Sequence, residues 1–406
     1  MTILYNIGIH FFILFLRLAA LLGHDKARRA VKGRVNVFER LQKEFSENDS
    51  PVVWFHASSL GEYELGRPLI EAFSRDKNYK VLISFFSPSG YENFQSKEDN
   101  QFLTYLPFDT RSNSRRFIQQ INPEKVFFLK NDLWFNYLNE LNRRAVNTYV
   151  VSGLFKPKQF FFKFRWKRFE EVLKNLTHIF LVNESSHKFL RTKGFSNITL
   201  AGDLRMDRVL AIKSEGVRLE EIEYFKSTQP MILLGSSWEK EEELIAEFLK
   251  VQPNTCRVII APHEIGKKRI DSLKERFPNA ALFSNFKNGS EASDILIIDQ
   301  IGLLKYIYCY ADIAIIGGAW GRGLHNCLEA AVFNLPLLFG PRIQSFQEAL
   351  DLVELQGAMS ISNQDEFNAE LLELLNNEKK RMEMGINAGN YVSQSKGAVD
   401  RILKAL

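Results

Sequence analysis

Short, continuous apolar runs recur along this chain, each followed by a stretch that reads as helical: VVWFHAS, KVLISFF, KVFFLK, NTYVVSG and HIFLVN, then MILLGSS, RVIIAPH, DILIIDQ, DIAIIGG and PLLFGP. A strand with one wet face alternates apolar and polar residues, whereas a strand covered on both faces does not. Runs of this kind separated by helices therefore predict parallel sheets layered between helices, the doubly wound α/β class. About five runs fall before Gly202 and five or more from Met231 onward, with a polar, charged stretch from Lys213 to Pro230 between them. One core rarely serves 406 residues, so the pattern predicts two Rossmann-like domains with a cleft between them. No short repeat and no low-complexity segment interrupts it.

Composition excludes disorder: 45% of residues are hydrophobic and 25% charged, and 34 phenylalanines supply much of the expected core. Cys256, Cys309 and Cys327 are scattered and lack ligand spacing. Neither a disulfide framework nor a zinc site is expected, and a reducing cytoplasmic setting fits. The net charge of +5 is mild, but its placement is informative. Ile7 to Leu22 is apolar except for His10 and Arg17 and is followed by Lys26, Arg28, Arg29, Lys32 and Arg34. This is short for a spanning helix, lacks a cleavage site, and carries its basic residues on the wrong side for a secretory signal. The expectation is a retained anchor over 1–34, either marginally spanning or lying in the interface, with its basic flank at an anionic cytoplasmic leaflet. A helix packed on the protein's own core is the competing reading.

Ligands of doubly wound sheets bind beyond the carboxyl ends of the strands, so the residues after each run are where chemistry is sought. The stretch HASSLGEYELGRP, His56 to Pro68, leaves its strand through Ser58, Ser59 and Gly61 and sets Glu62 at a helix start. Capping alone can account for it, since serines and acidic side chains both suit that end. From the end of DIAIIGG, glycines at 317, 318, 321 and 323 lead to His325 and Asn326, read as opening a helix that carries Glu329. Such a turn suits a phosphate, with Glu329 placed to accept from a ribose hydroxyl. A plain strand-to-helix turn is the alternative, because neither GxGxxG nor GxxxxGK is present. Phe155 to Glu171 interleaves six basic residues with seven aromatics. It reads as a membrane-facing lip, as a nucleic-acid surface, or as an amphipathic helix whose phenylalanines are core.

The apolar N-terminus, HASSLGEYELGRPLI, LPFD at 106–109, LKNDLWFNYL at 129–138, GDLRMD at 202–207, LLGSSWEKEEELI at 233–245, APHEIGKKR at 261–269, and GGAWGRGLHNCLEAA followed by PLLFGPRIQSFQEA resemble in order and spacing the Kdo transferases. Those enzymes move 3-deoxy-D-manno-octulosonic acid (Kdo) from CMP-Kdo to the lipid A precursor. The resemblance implies a GT-B glycosyltransferase: an acceptor-binding domain at 35–205, a linking region at 206–230, a CMP-Kdo-binding domain at 231–385, and a final segment, 386–406, crossing back to the first domain. It makes Glu62 the general base of an inverting transfer, with Ser58, Ser59, Gly61 and Arg67 on the acceptor side. His263, Gly318, Gly321, Gly323, His325, Asn326 and Glu329 become donor-binding residues.

A single phosphate on the leaving group and the lack of an Asp-X-Asp motif imply that neither metal nor cofactor is needed. The implied partners are CMP-Kdo, the glycolipid and the cytoplasmic face of the inner membrane, with no nucleic acid. The chain departs from the family where Lys130 and Asn131 precede Asp132, so Asp132 is either an auxiliary acid or a structural hydrogen-bonding group. Gly323-Leu324 likewise stands before His325 where two glycines are more usual. A membrane-associated GT-B enzyme with another sugar nucleotide, or a non-catalytic GT-B-like binding protein, are the alternatives.

Overall fold

The computed structural model describes residues 2–92, 94, 98–226, 228–286 and 293–406. They divide into two compact units, Met1–Arg208 with Gly397–Leu406, and Val209–Lys396. Among the described residues each unit is built on one seven-stranded, wholly parallel sheet. In the first, strands β1 (Val52–Ala57), β2 (Lys80–Phe85), β3 (Gln101–Tyr105), β4 (Pro123–Leu129), β5 (Asn147–Gly153), β6 (His178–Leu181) and β7 (Ile198–Leu200) take the order β3-β2-β1-β4-β5-β6-β7. In the second, β8 (Met231–Ser237), β9 (Arg257–Pro262), β10 (Ala281–Leu282), β11 (Ile295–Ile297), β12 (Ile313–Ile316), β13 (Leu337–Phe339) and β14 (Ala358–Ser360) take the order β10-β11-β9-β8-β12-β13-β14.

The physical reason for the continuous runs is visible in β1. Val52 and Trp54 enter the core on one face while Val53 and Phe55 enter the core on the other. Each such aromatic, wholly removed from water, stabilises the fold by about 1.5–3 kcal/mol before packing terms. The helix Leu60–Arg75 covers one face through Leu65, Leu69, Ile70 and Phe73. It lies so close that a Cβ on Gly66 would come within 2.5 Å of Leu129.

Several expectations change. Strands β3, β7, β10 and β14 were not among the ten runs; they are short or partly exposed and carry little apolar signal. The 206–230 region is largely helical, with Leu204–Glu215 and Glu220–Lys226. The final segment breaks at Gly397, whose φ is +90°. The helix Glu378–Gln394 stays with the second unit, and Ala398–Lys404 belongs to the first, where Ala398 and Ile402 are wholly buried. Phe155–Glu171 is not one helix but two short 3₁₀ turns, Phe160–Phe162 and Phe164–Trp166, leading into the helix Lys167–Lys174. Phe155, Phe161, Phe162 and Phe169 are core, whereas Phe164 is 93% exposed.

The N-terminal helix, Thr2–Leu21, presents Ile3, Leu4, Ile7, Phe11, Leu14, Phe15 and Leu18 outward, so packing on its own core does not account for it. Its other face is fastened to the first unit. The Tyr5 hydroxyl donates to Asp109 Oδ2 (2.6 Å), Asn136 Nδ2 donates to Asn6 Oδ1 (3.1 Å), and Phe12 stacks on Phe86 (6.2 Å). Arg34, expected in the basic flank, instead turns inward. Its guanidinium donates to the carbonyls of Ala30, Phe86 and Leu106 and lies over the Phe108 ring, and burial lowers its pKa to about 10.

Candidate active site

Both sheets reverse their winding beside their first strand, β1 against β4 and β8 against β12, and a crevice beyond the strand ends at such a point is where doubly wound folds hold ligands. At the first of these points, Glu62 sits half-buried in the first turn of Leu60–Arg75, with its carboxylate accepting from the Ser58 backbone N–H (2.6 Å). The cap bond expected of Ser59, the N-cap, is not made; Glu62 instead closes back on the N–H of Ser58, the residue before the N-cap. Gly61 is exposed, and a Cβ there would only touch the Ser59 hydroxyl at 4.0 Å. Arg67 is not brought to Glu62: five positions on, it lies about 140° round the helix. There it pairs with Glu71 (2.7 Å) and Glu64 (3.7 Å), beside the Arg208–Glu64 pair.

Beyond β4 the backbone kinks at Lys130, whose φ of +58° is a left-handed value that a non-glycine residue adopts at some strain. Asn131 is structural, its Oδ1 accepting from the Leu154 N–H (2.9 Å). Asp132 remains partly open, its Oδ2 accepting from Trp134 Nε1 (3.2 Å) and bonded to His56 Nε2 (2.8 Å). His56 is fully buried, and its Nδ1 meets the Ser84 hydroxyl (2.9 Å), which also accepts from Trp54 Nε1 (2.7 Å). The Asp132 carboxylate only accepts, so Nε2 carries the proton, and in a neutral imidazole Nδ1 then takes the hydroxyl proton of Ser84. The set superficially matches a Ser-His-Asp triad. Ser84 is sealed from solvent, however, and no substrate carbonyl can reach its oxygen, so the relay orients Asp132. Trp134 in turn stacks on Phe86 (4.7 Å), the ring that meets Phe12 of the N-terminal helix.

At the second reversal, the glycine loop follows β12. Gly318 has φ +96° and Gly323 φ +110°. A Cβ on Gly318 would fall 2.2 Å from the Gly323 carbonyl oxygen and 3.0 Å from His325 Cδ2, so glycine is required there, whereas Gly321 has open space. The helix placed at His325 starts later and is a single turn, Leu328–Ala331. Asn326 precedes it, accepting from Leu328 N–H and donating to Glu329 (2.9 Å). One turn has little dipole, so an anion there relies on side chains and loop amides rather than on a helix end.

Those side chains converge. The rings of His263 and His325 stack at 4.3 Å and 24°, Trp238 lies tilted by 31° against His263 at 4.9 Å, and the Arg322 guanidinium sits 4.1 Å over the Trp238 ring. Burial, reinforced by His263, lowers the His325 pKa to about 4. Glu241, 1% exposed, clamps the two loops, accepting from Trp238 N–H (3.0 Å) and Gly318 N–H (2.7 Å). Its neighbour Glu242, wholly buried, takes Ser237 and Arg269. Burial raises both carboxyls above their usual range. Sequence reasoning missed Trp238, Glu241, Glu242 and Arg322. Their one signal was position, since Trp238 directly follows a strand end and Arg322 stands inside the glycine run.

Residues 34–208 match the family model described as 3-deoxy-D-manno-octulosonic-acid transferase (kdotransferase). The chain is 26% identical to a 3-deoxy-D-manno-octulosonic acid transferase of Rickettsia bellii, covering 98% of this chain and 96% of that one. It is 25% identical to the protein of the same description in Aquifex aeolicus, over 83% and 90%. A bifunctional glycosyltransferase/methyltransferase of Fusobacterium nucleatum is 25% identical over 87% of this chain, which spans 57% of that protein's length. In fold, it resembles the UDP-GlcNAc 2-epimerase of Neisseria meningitidis (TM-score 0.59, 13% identity, 87% and 100% covered). It also resembles MurG of Acinetobacter baumannii (TM-score 0.54, 13% identity, 88% and 98% covered). The chain thus has a GT-B fold, and along most of its length it is similar to proteins described as Kdo transferases, with the family model matching residues 34–208.

Proposed function

We propose that the protein transfers Kdo from CMP-Kdo to a hydroxyl of the lipid A precursor lipid IVA, with inversion and without a metal, at the cytoplasmic face of the inner membrane. The observation that carries this reading is the pair of accessible carboxylates, Glu62 and Asp132, at the winding reversal of the first sheet, in a chain whose relatives are described as Kdo transferases. Glu62 takes the proton of the acceptor hydroxyl as its oxygen bonds to the anomeric carbon of Kdo. The bond from that carbon to the phosphate oxygen breaks, and its electron pair leaves with CMP. One base suffices for inversion, and a positioned base contributes about 10²–10⁴-fold. The glycine loop, His263 and His325 hold the leaving phosphate or the Kdo carboxylate. Asp132, oriented by His56, receives a second acceptor hydroxyl as a hydrogen-bond acceptor.

The N-terminal helix lies in the membrane interface rather than across it. Tyr5, Asn6 and Phe12 tie one face into the first unit while the opposite face is apolar and exposed, the arrangement of a monotopic anchor. Phe164, between Lys163 and Arg165, gives a second insertion point.

The test uses detergent-solubilised protein with CMP-Kdo generated in situ, tetra-acylated lipid A precursor and EDTA. A gain of one or more Kdo masses, reduced at least about 100-fold by Glu62→Gln with CMP binding intact, is the expected result. Absence of product from the wild type under conditions where a known Kdo transferase works refutes the donor or acceptor. Undiminished product from Glu62→Gln returns Glu62 to its capping role.

A further inference from the structure

The second unit contains a hydrogen bond whose direction is decided by chemistry alone: Trp238 Nε1 lies 2.9 Å from His325 Nε2. An indole N–H only donates, so Nε2 must carry a lone pair, and a neutral imidazole then has its proton on Nδ1. We infer that Trp238 is a positioning residue of the donor site, locking His325 as the neutral Nδ1–H tautomer so that Nδ1 donates to an anionic oxygen of the sugar nucleotide. This rests on the reading of the second unit as the CMP-Kdo-binding one.

The surroundings make the lock rigid. The Trp238 backbone N–H and the Gly318 N–H are held by the two oxygens of one buried carboxylate, Glu241, so the indole and the loop carrying His325 move together. Gly318 allows the Gly323 carbonyl and the His325 ring to close in where any side chain would collide. The His325 backbone N–H donates to the Gly317 carbonyl (3.1 Å), fixing the origin of the side chain. Protonation at Nε2 would turn an acceptor toward the indole N–H into a second donor and would add charge beside His263, in a stack already carrying Arg322. The lowered basicity of His325 agrees with this. A neutral, oriented N–H discriminates by geometry: it suits a single phosphate or carboxylate oxygen at a defined position, and it lets the anion leave without breaking an ion pair.

The experiment is long-range ¹H–¹⁵N correlation NMR on the full chain labelled at histidine, with signals assigned by His325→Gln, paired with CMP titration of the wild type and Trp238→Phe. Phe keeps the stacked ring and removes only the donor. The expected result is an Nδ1–H tautomer in the wild type, tautomeric averaging in Trp238→Phe, and a CMP affinity lower by about tenfold, the size of one hydrogen bond. An Nε2–H tautomer in the wild type overturns the inference whether or not the variant folds. So does a Trp238→Phe variant with unchanged His325 signals, or one with averaged signals and unchanged CMP affinity. If the tautomer is locked as expected but the wild type binds no CMP, the donor reading above fails and the Trp238–His325 lock stands without its ligand role.

Discussion

Tyr5→Phe removes one oxygen atom and tests how the N-terminal helix is attached. Asp109, 2% exposed, accepts from Tyr5 Oη, from the Asn136 N–H (3.0 Å) and from the Tyr137 N–H (3.1 Å), and the Tyr5 oxygen itself accepts from the Phe135 N–H (3.3 Å). Burial dominates over these donors and raises the Asp109 carboxyl to about 6. A carboxyl with a raised folded-state value binds its proton more tightly when folded. Its contribution to stability is therefore complete below the usual value near 4 and is lost as pH rises through 6, by about 3 kcal/mol in all.

At pH 8 the Tyr5 bond serves an ionised acceptor and is worth about 2 kcal/mol; at pH 5 it serves a mainly protonated one and is worth about 1 kcal/mol or less. For a unit of about 220 residues, 1 kcal/mol moves the midpoint by about 2–4 °C. Tyr5→Phe should lower the first unit's thermal midpoint by about 4–8 °C at pH 8 and by no more than about half of that at pH 5, with both proteins in the same detergent. Equal shifts at the two pH values, or none, would refute the attachment through an ionised Asp109.

Ser84→Ala strands the buried Trp54 N–H and releases His56 Nδ1, so it should destabilise the first unit by about 2–4 kcal/mol in chemical denaturation. It should also slow transfer without changing CMP affinity. Gly318→Ala should abolish CMP binding in titration and Gly321→Ala should leave it within about twofold, because only the first has a left-handed backbone and a collision at 2.2 Å. Ile402→Ala, at a wholly buried position, should weaken the first unit by about 2–5 kcal/mol, read by urea unfolding followed with first-unit tryptophans. Phe164→Ser should reduce co-sedimentation with anionic lipid vesicles while leaving the thermal midpoint within about 1 °C, since a 93% exposed ring contributes no core; unchanged sedimentation removes Phe164 from the membrane surface.

Much of the fold was legible because burial on both faces of a parallel sheet writes itself as unbroken apolar runs, as Val52 to Ala57 and Ile313 to Ile316 show. Strands without that burial, such as Ile198–Leu200 with two of three residues exposed, left no such mark. Glu62, His263 and His325 stand in places after strands where candidates are sought, whereas Asp132 came only through the motif that resembles the Kdo transferases. Their partners were not, because Trp54, Ser84 and His56 reach Asp132 through pairings across strands distant in sequence. Glu241 and Glu242 looked like ordinary first-turn acids of a solvated helix. Only the fold shows them buried between two loops, each with donors that could not be foreseen from spacing. The helix misplaced at His325 has the same origin, since glycine-rich turns fix direction changes but not how many residues follow before the first helical bond.

The return of Gly397–Leu406 to the first unit has a consequence for how the protein is made. Asp207 accepts from the Gly397 and Val399 N–H groups, Arg401 donates to the Ala201 carbonyl, and Ala398 and Ile402 complete a core laid down near Phe55 and Ile83. That core therefore stays unfinished on the ribosome while residues 209–396 are synthesised, about 10–40 s at ordinary elongation rates. Throughout that interval an apolar notch and an apolar N-terminal helix are exposed on one nascent chain, so early contact of that helix with the membrane surface would protect the growing polypeptide before it could ever catalyse anything.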